Sequence, residues 1–168
     1  MLDADAWIDR LGLHPHPEGG YFKETYRSPG VLGASAFWPG VNGPRNWSTG
    51  IYFLLKKGQR SHFHRIRSDE MWHFYEGQAL CIHVIQPDGT YSRIRLGRPE
   101  SDPTLQFQAV VPAGAWFASE VEEGGAFSLV GCTVAPGFDF QDFELAKKQE
   151  FVLQFPQHAA WTADLCLP

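Results

Sequence analysis

Between residues 48 and 134 the chain is a succession of short apolar and β-branched runs, each closed by glycine, proline or acidic turn residues. The runs are Ser48 to Leu55, Arg60 to Ile66, Glu70 to Tyr75, Ala79 to Gln86, Tyr91 to Leu96, Leu105 to Val111, Trp116 to Glu120 and Phe127 to Val134. Segments this short, with turns roughly every eight to twelve residues, form antiparallel sheets, because antiparallel neighbours need only short links. The pattern predicts an all-β sandwich or barrel. Pro87-Asp88-Gly89 and Glu122-Glu123-Gly124-Gly125 read as hairpin turns. Ahead of these runs, Tyr21 to Arg27 alternates as a strand, with Phe22, Glu24 and Tyr26 on one face and Lys23, Thr25 and Arg27 on the other.

Helical signals are confined to the ends. Asp3 or Asp5 can cap a short N-terminal helix whose apolar face is Trp7, Ile8 and Leu11 and which Gly12 ends. His14-Pro15-His16-Pro17-Glu18-Gly19-Gly20 follows, a stretch whose prolines forbid a helix and whose paired glycines permit unusual backbone angles. Val31 to Asn46 reads as a loop. After Pro136-Gly137, Asp142 is expected to cap a helix through Phe143, Leu145, Ala146, Phe151 and Val152, and Pro156 to start a last short one with Trp161 and Leu165. The expected organisation is one domain: residues 1–13 an N-terminal helix, 14–135 the β unit and 136–168 a C-terminal helical segment. A chain of 168 residues suffices for that, since this size buries roughly 68–70% of its unfolded surface.

Charge narrows the partners. A net charge of -5 argues against nucleic acid, which demands concentrated Lys and Arg. Arg60, Arg65 and Arg67, with Arg93, Arg95 and Arg98, read as solvated strand edges or as contacts to an anionic group on a small ligand. No run approaches the roughly 18 apolar residues of a membrane span, and Met1 to Asp5 lacks the positive and then apolar start of a secretory signal. The expectation is a cytoplasmic protein without a membrane partner. Cys81, Cys132 and Cys166 are odd in number and far apart, which fits reduced thiols. Cys132 reads either as a nucleophile or as a small buried hydrophobe.

The chemistry concentrates in Gly58-x3-His62-x-His64-x5-Glu70-x6-Gly77. Alternate residues of a strand point to one face about 6.6 Å apart, so His62 and His64 are expected to share a space. Two imidazoles and a carboxylate can hold a divalent metal with an open position for water or substrate. Without metal, the same groups can serve as acid and base or hydrogen-bond an organic ligand. Strand parity sets a condition on Glu70: facing inward it brings Trp72 and Phe74 with it, whereas an inward His73 would bring Met71 and Tyr75. The first register is the expected one, with His73 as substitute should a bulge shift the strand.

This phrase resembles the first motif of the cupin superfamily, G-x5-H-x-H-x3-4-E-x6-G, with the glycine closer to His62 and the gap before Glu70 one residue longer. The second cupin motif is best matched by Pro112-Ala113-Gly114-Ala115-Trp116-Phe117, where Phe117 occupies the place of the usual fourth metal ligand. Further phrases resemble the small cupin-5 family: His16 to Phe22 with Glu24, Tyr26, Arg27 and Ser28, then Ser61 to Arg65, Asp69 to Tyr75, Val111 to Gly114 and Gly131 to Phe138. They span residues 14 to about 145.

The resemblance implies a single-domain cupin jelly roll (double-stranded β-helix) that forms homodimers around a small-molecule cavity. Its relatives in fold include metal-free nucleotide-sugar epimerases and metal-dependent isomerases and dioxygenases, and fold alone does not choose among them. As an isomerase or epimerase of a modified sugar or related carbonyl compound, the chain would use His62 or His64 as base, Glu70 to orient it and Tyr52 or Tyr75 as proton donor. Glu18 and Arg27 would hold the ligand. As a metal enzyme it would use His62, His64 and Glu70 as ligands. As a binding or storage protein it would hold a ring against Trp72, Phe74, Trp116 and Phe117.

Overall fold

Among the described residues the strand ladders are all antiparallel, and the strands divide into two larger sheets and a small ribbon. The computed structural model describes residues 2–33 and 41–167. In chain order the elements are α1 (Ala4–Leu11), β1 (His14–Pro15), β2 (Tyr21–Arg27), β3 (Val31–Leu32), β4 (Arg45–Asn46), β5 (Thr49–Lys56), β6 (Arg60–Arg65) and β7 (Asp69–Gly77). There follow β8 (Leu80–Ile85), β9 (Tyr91–Leu96), β10 (Gln108–Val111), β11 (Trp116–Val121), β12 (Phe127–Ala135), β13 (Glu144–Leu145), α2 (Lys148–Gln154) and α3 (Ala159–Thr162). One sheet runs β1-β2-β5-β12-β7-β10 and the other β13-β6-β11-β8-β9.

Alternation decides which faces meet. From one sheet Phe53, Trp72, Phe74, Val130, Cys132 and Val134 turn inward, and from the other Leu80, Ile82, Val84, Leu96 and Phe117 meet them in a single buried cluster. Burying each large apolar side chain is worth about 1.5–3 kcal/mol, so this shared interior is the main force closing the jelly roll. The outer faces are covered separately. Phe63, Ile85, Trp116 and Ala118 pack under Phe151, Phe155 and Leu165 of the C-terminal helices. Leu54, Phe127 and Leu129 pack under Trp7, Ile8 and Leu11 of α1. That helix has the predicted ends: the Asp3 carboxylate accepts from the Ala6 N–H, and Gly12 closes it with a φ of 64°.

Three expectations are corrected. Pro87-Asp88-Gly89 does join the paired strands β8 and β9, but Glu122 to Gly125 joins β11 to β12, which lie in different sheets. That turn is therefore a crossover, because turn residues report a reversal and not which edge the chain returns to. Asp142 caps no helix: Asp139 caps a short 3-10 turn, Phe140–Asp142, and Glu144–Leu145 then pairs with β6. Asp142 instead makes a two-pronged ion pair with the buried Arg45, at 2.7 and 3.0 Å. The tail thus adds a strand to the sheet before it becomes helical at Lys148. Within the predicted loop, Val31–Leu32 pairs with Arg45–Asn46, while residues 34–40 lie outside the described residues.

Candidate functional site

A cavity of about 280 Å³ opens at one end of the interior. Two β-bulges determine what lines it. On β2 the register with β5 steps between Glu24 and Tyr26, so one residue, Thr25, is extra. Phe22, Glu24 and Arg27 consequently all line the cavity, while Tyr26 stands outside and exposed. Simple alternation had put Arg27 opposite Glu24, and the bulge reverses its side. On β6 the register with β11 steps between Phe117 and Ser119, which face His64 and Ser61, leaving an extra residue in the stretch 62–63. Ser61 and His64 both turn toward Glu18, and Phe63 goes outward beneath Phe151.

The same bulge removes His62 from the site. Its ring does not line the cavity. Instead the Glu18 carbonyl accepts two hydrogen bonds from His62, from the backbone N–H at 2.8 Å and from Nδ1 at 2.7 Å. Those bonds pin the His16-to-Gly20 turn against the start of β6. The approach is close: a Cβ on Gly19, whose φ is 112°, would stand 2.0 Å from the Arg60 carbonyl oxygen. Only glycine meets both demands.

At the polar end, Nδ1 of His64 donates to the His62 carbonyl at 2.7 Å. Its Nε2 is then the bare nitrogen, 3.0 Å from Oε2 of Glu18. Ser61 donates to the other Glu18 oxygen at 2.7 Å. Desolvation drives His64 down to about 3 and, with the Glu70 charge adding to it, raises Glu18 well above its usual range. Both directions give the same state: a neutral carboxyl whose O–H donates to a neutral imidazole. His16 is likewise pushed down to about 4 by burial, and its Nδ1 accepts the Glu18 N–H at 3.2 Å.

Glu70 is different. Buried on β7, it is raised to about 7 by desolvation, against a weaker opposing hydrogen bond from the Cys132 thiol. Cys132 itself is held well above its usual range by burial and by the Glu70 charge, so it is a protonated donor and not a thiolate. The remaining wall is aromatic, with Phe22, Phe53, Trp72, Phe138, Phe140 and Phe143.

Of the residues expected at the site, Glu18, Arg27, His64, Glu70 and Trp72 line the cavity together. Phe117 packs against His64 at a tilt of 57°, ring centroids 4.0 Å apart, and Phe74 lies deeper in the core. His73 faces outward, bonded to Thr133 and Gln108. A bulge does occur on β7, but beyond Phe74, so Glu70 keeps its inward register and Tyr75 is the displaced residue. Tyr75 is exposed, lies across Gly131 and meets Tyr52 edge-on at 5.9 Å; neither tyrosine can donate a proton into the cavity. Trp116 points away from it, against Phe151 and beneath Arg65. Sequence reasoning missed His16, Cys132, Asp139, Phe140 and Phe143 as wall residues. The aromatic density of Phe138 to Phe143 was a usable signal, obscured by reading Phe143 as part of a helix capped by Asp142.

The metal hypothesis is tested by the same geometry. His62 is committed to a carbonyl, Nε2 of His64 to the Glu18 carboxyl, and among the described residues no group of three His, Cys, Asp or Glu is arranged to hold a metal ion. His62, His64 and Glu70 do not fit a metal centre. Among the described residues no helix is long and apolar enough to cross a membrane, and Cys81, Cys132 and Cys166 are all free.

Comparison with known proteins agrees with this architecture. The chain is similar to a crystallised protein of Shewanella oneidensis, 42% identical with a TM-score of 0.87 over 100% of this chain and 99% of that one. It is also similar to a hypothetical protein from Leishmania major, 36% identical with a TM-score of 0.89 over 99% and 100%. An uncharacterized protein of Saccharomyces cerevisiae is 32% identical over 94% of this chain and 83% of its own length. Residues 5–146 match the family model described as Cupin superfamily (DUF985), and the chain belongs to that cupin-5 family.

Proposed function

We propose that this cupin binds a small organic molecule in its cavity and moves protons on it, as an isomerase or epimerase of a sugar-like or related carbonyl compound. The observation that carries the reading is the pairing, in one cavity, of a carboxyl poised near neutrality with a neutral donor: Glu70 at about 7 and the Glu18 carboxyl on His64. A general base works best when its proton affinity matches the working pH. Glu70 would take a proton from the carbon next to a carbonyl and return it from its own side, to the neighbouring carbon or, once the deprotonated ligand has turned over, to the other face of the same carbon. As negative charge builds on the carbonyl oxygen, the Glu18 proton would turn from Nε2 of His64 to that oxygen, and Ser61 would go on holding the other carboxyl oxygen in place. His62 and Ser61 act as positioning residues, fixing Glu18 from its backbone and its other oxygen.

The test is deuterium wash-in. The protein is incubated in D2O with a panel of aldoses, ketoses and α-hydroxy ketones, and carbon-bound deuterium is followed by NMR. A substrate of the proposed kind gains deuterium at the α carbon, and Glu70→Gln slows the exchange by about 100-fold or more. Exchange in no member of the panel, with a metabolite nevertheless retained in native mass spectrometry, would assign the cavity to binding or storage instead.

A further inference from the structure

Arg27 is the sole Lys or Arg among the described residues lining the cavity, and its guanidinium has nothing left to give a ligand. Of its five N–H donors, Nε goes to Oε1 of Glu24 at 2.9 Å and one from Nη2 to Oε2 at 2.7 Å. Nη1 reaches Oδ1 of Asn46 at 2.8 Å, and Nη1 and Nη2 each reach the Phe138 carbonyl at 3.2 Å. The residue whose planar fork suggested a carboxylate or phosphate grip is thus consumed by the protein itself.

The other ionisable groups on the wall are acids or uncharged imidazoles. Glu24 cancels Arg27 in charge; Asp139, whose charge also acts on Arg27 and on Arg45, adds a further acid to the wall, and Glu70 has no ion pair inside. Glu70 is 8% exposed, and its hydrogen-bonding partner within the protein is the weak donor Cys132. A buried carboxyl so poorly partnered favours a hydrogen-bond donor on the ligand. In its ionised form it repels an oxyanion, since like charges are brought together in a site shielded from water. The aromatic walls offer π faces suited to an apolar ring surface or a cation, and not to an anion.

We infer that the cavity selects ligands by charge, accepting a neutral or ammonium-bearing hydroxylated or carbonyl compound and rejecting carboxylates and phosphates, nucleotide-activated sugars among them. The Arg27–Glu24 pair is the determinant: it withholds the only fixed positive charge that the described residues bring to the wall. This rests on the binding reading above and is independent of the proton-transfer chemistry.

The experiment uses three matched ring probes, 2-phenylethanol, phenethylammonium and phenylacetate, titrated into the full-length protein while the Trp72 indole N–H signal is followed by NMR. The alcohol and the amine shift that signal, and phenylacetate binds weaker than the alcohol by about tenfold or more. Glu24→Ala releases two Arg27 donors and removes a negative charge, so phenylacetate binding appears in that variant and disappears again when Arg27→Ala is added. Wild-type protein binding phenylacetate as tightly as 2-phenylethanol would overturn the inference, as would a Glu24→Ala protein that discriminates as before. A Trp72 signal unmoved by all three probes would overturn it together with the binding reading. Charge selection without deuterium exchange on any carbonyl compound would leave the inference standing and sink the isomerase proposal alone.

Discussion

Replacing Glu70 with glutamine should stabilise the protein in a way that depends on pH. Desolvation holds the buried carboxyl at about 7 in the folded chain, against an ordinary value of 4.5. At about 1.4 kcal/mol for each tenfold change in proton affinity, that difference is worth about 3 kcal/mol. The sign follows from linkage. Because the folded-state value is the higher one, the folded protein keeps a proton that the unfolded chain has already released, so stability falls as pH rises from about 4.5 to about 7 and is level above that. Glutamine mimics the protonated acid and does not titrate. Wild type and Glu70→Gln should therefore unfold in urea at similar midpoints near pH 4.5, and the variant should gain on wild type by about 3 kcal/mol by pH 8. The Glu70 charge also helps to hold Glu18 above its usual range, so the glutamine relieves that neighbour as well and the coupling adds to the variant's gain at high pH. A difference that stays flat across this range, or one that favours wild type at high pH, would refute the placement of Glu70 as an underpartnered buried carboxyl.

Four further outcomes follow from particular contacts. His62→Ala removes one of two bonds to the Glu18 carbonyl, so it should lower stability by about 1–2 kcal/mol and disorder the His16-to-Gly20 turn, visible as faster amide hydrogen exchange there. Gly131→Ala puts a Cβ 2.2 Å from the Tyr75 hydroxyl and should cost about 1–3 kcal/mol, most of it recovered when Tyr75→Ala is added. Dialysis against a chelator should leave the thermal midpoint unchanged, because His62 is tied to the Glu18 backbone carbonyl and His64 to the Glu18 carboxyl; one metal ion per chain by elemental analysis would contradict that. Light scattering should report twice the chain mass of 18.9 kDa, as the cupin-5 resemblance implies, and a monomer at micromolar concentration would remove the dimer from the reading.

Much of the frame was readable without coordinates. The β runs from Ser48 to Val134 became β5 to β12 with their ends shifted by a few residues, because apolar alternation between turn residues is local information. The Asp3 cap and the Gly12 stop are local too, each a matter of one side chain or one backbone angle. Parity alone put Glu70, Trp72 and Phe74 on one face of β7. The first motif likewise singled out His64 and Glu70, and the turn phrase before β2 held Glu18.

What the sequence could not carry was the set of places where alternation breaks. Thr25, the stretch 62–63 and Tyr75 are each an extra residue against a partner strand. Such an insertion shows only against the neighbour's register, and the neighbour is distant in sequence. One bulge brought Arg27 beside Glu24 and another turned His62 from expected base to clamp, whereas Tyr75 lies outside by the same alternation that turns Glu70 inward, its own bulge coming after Phe74. Protonation belongs to the same class. His64, Glu18 and Glu70 are ordinary ionisable residues in the sequence, and their unusual states come from desolvation and from which oxygen faces which nitrogen. Local periodicity therefore specified the strands, and packing between strands decided which side chains meet in the cavity and which of them carry charge.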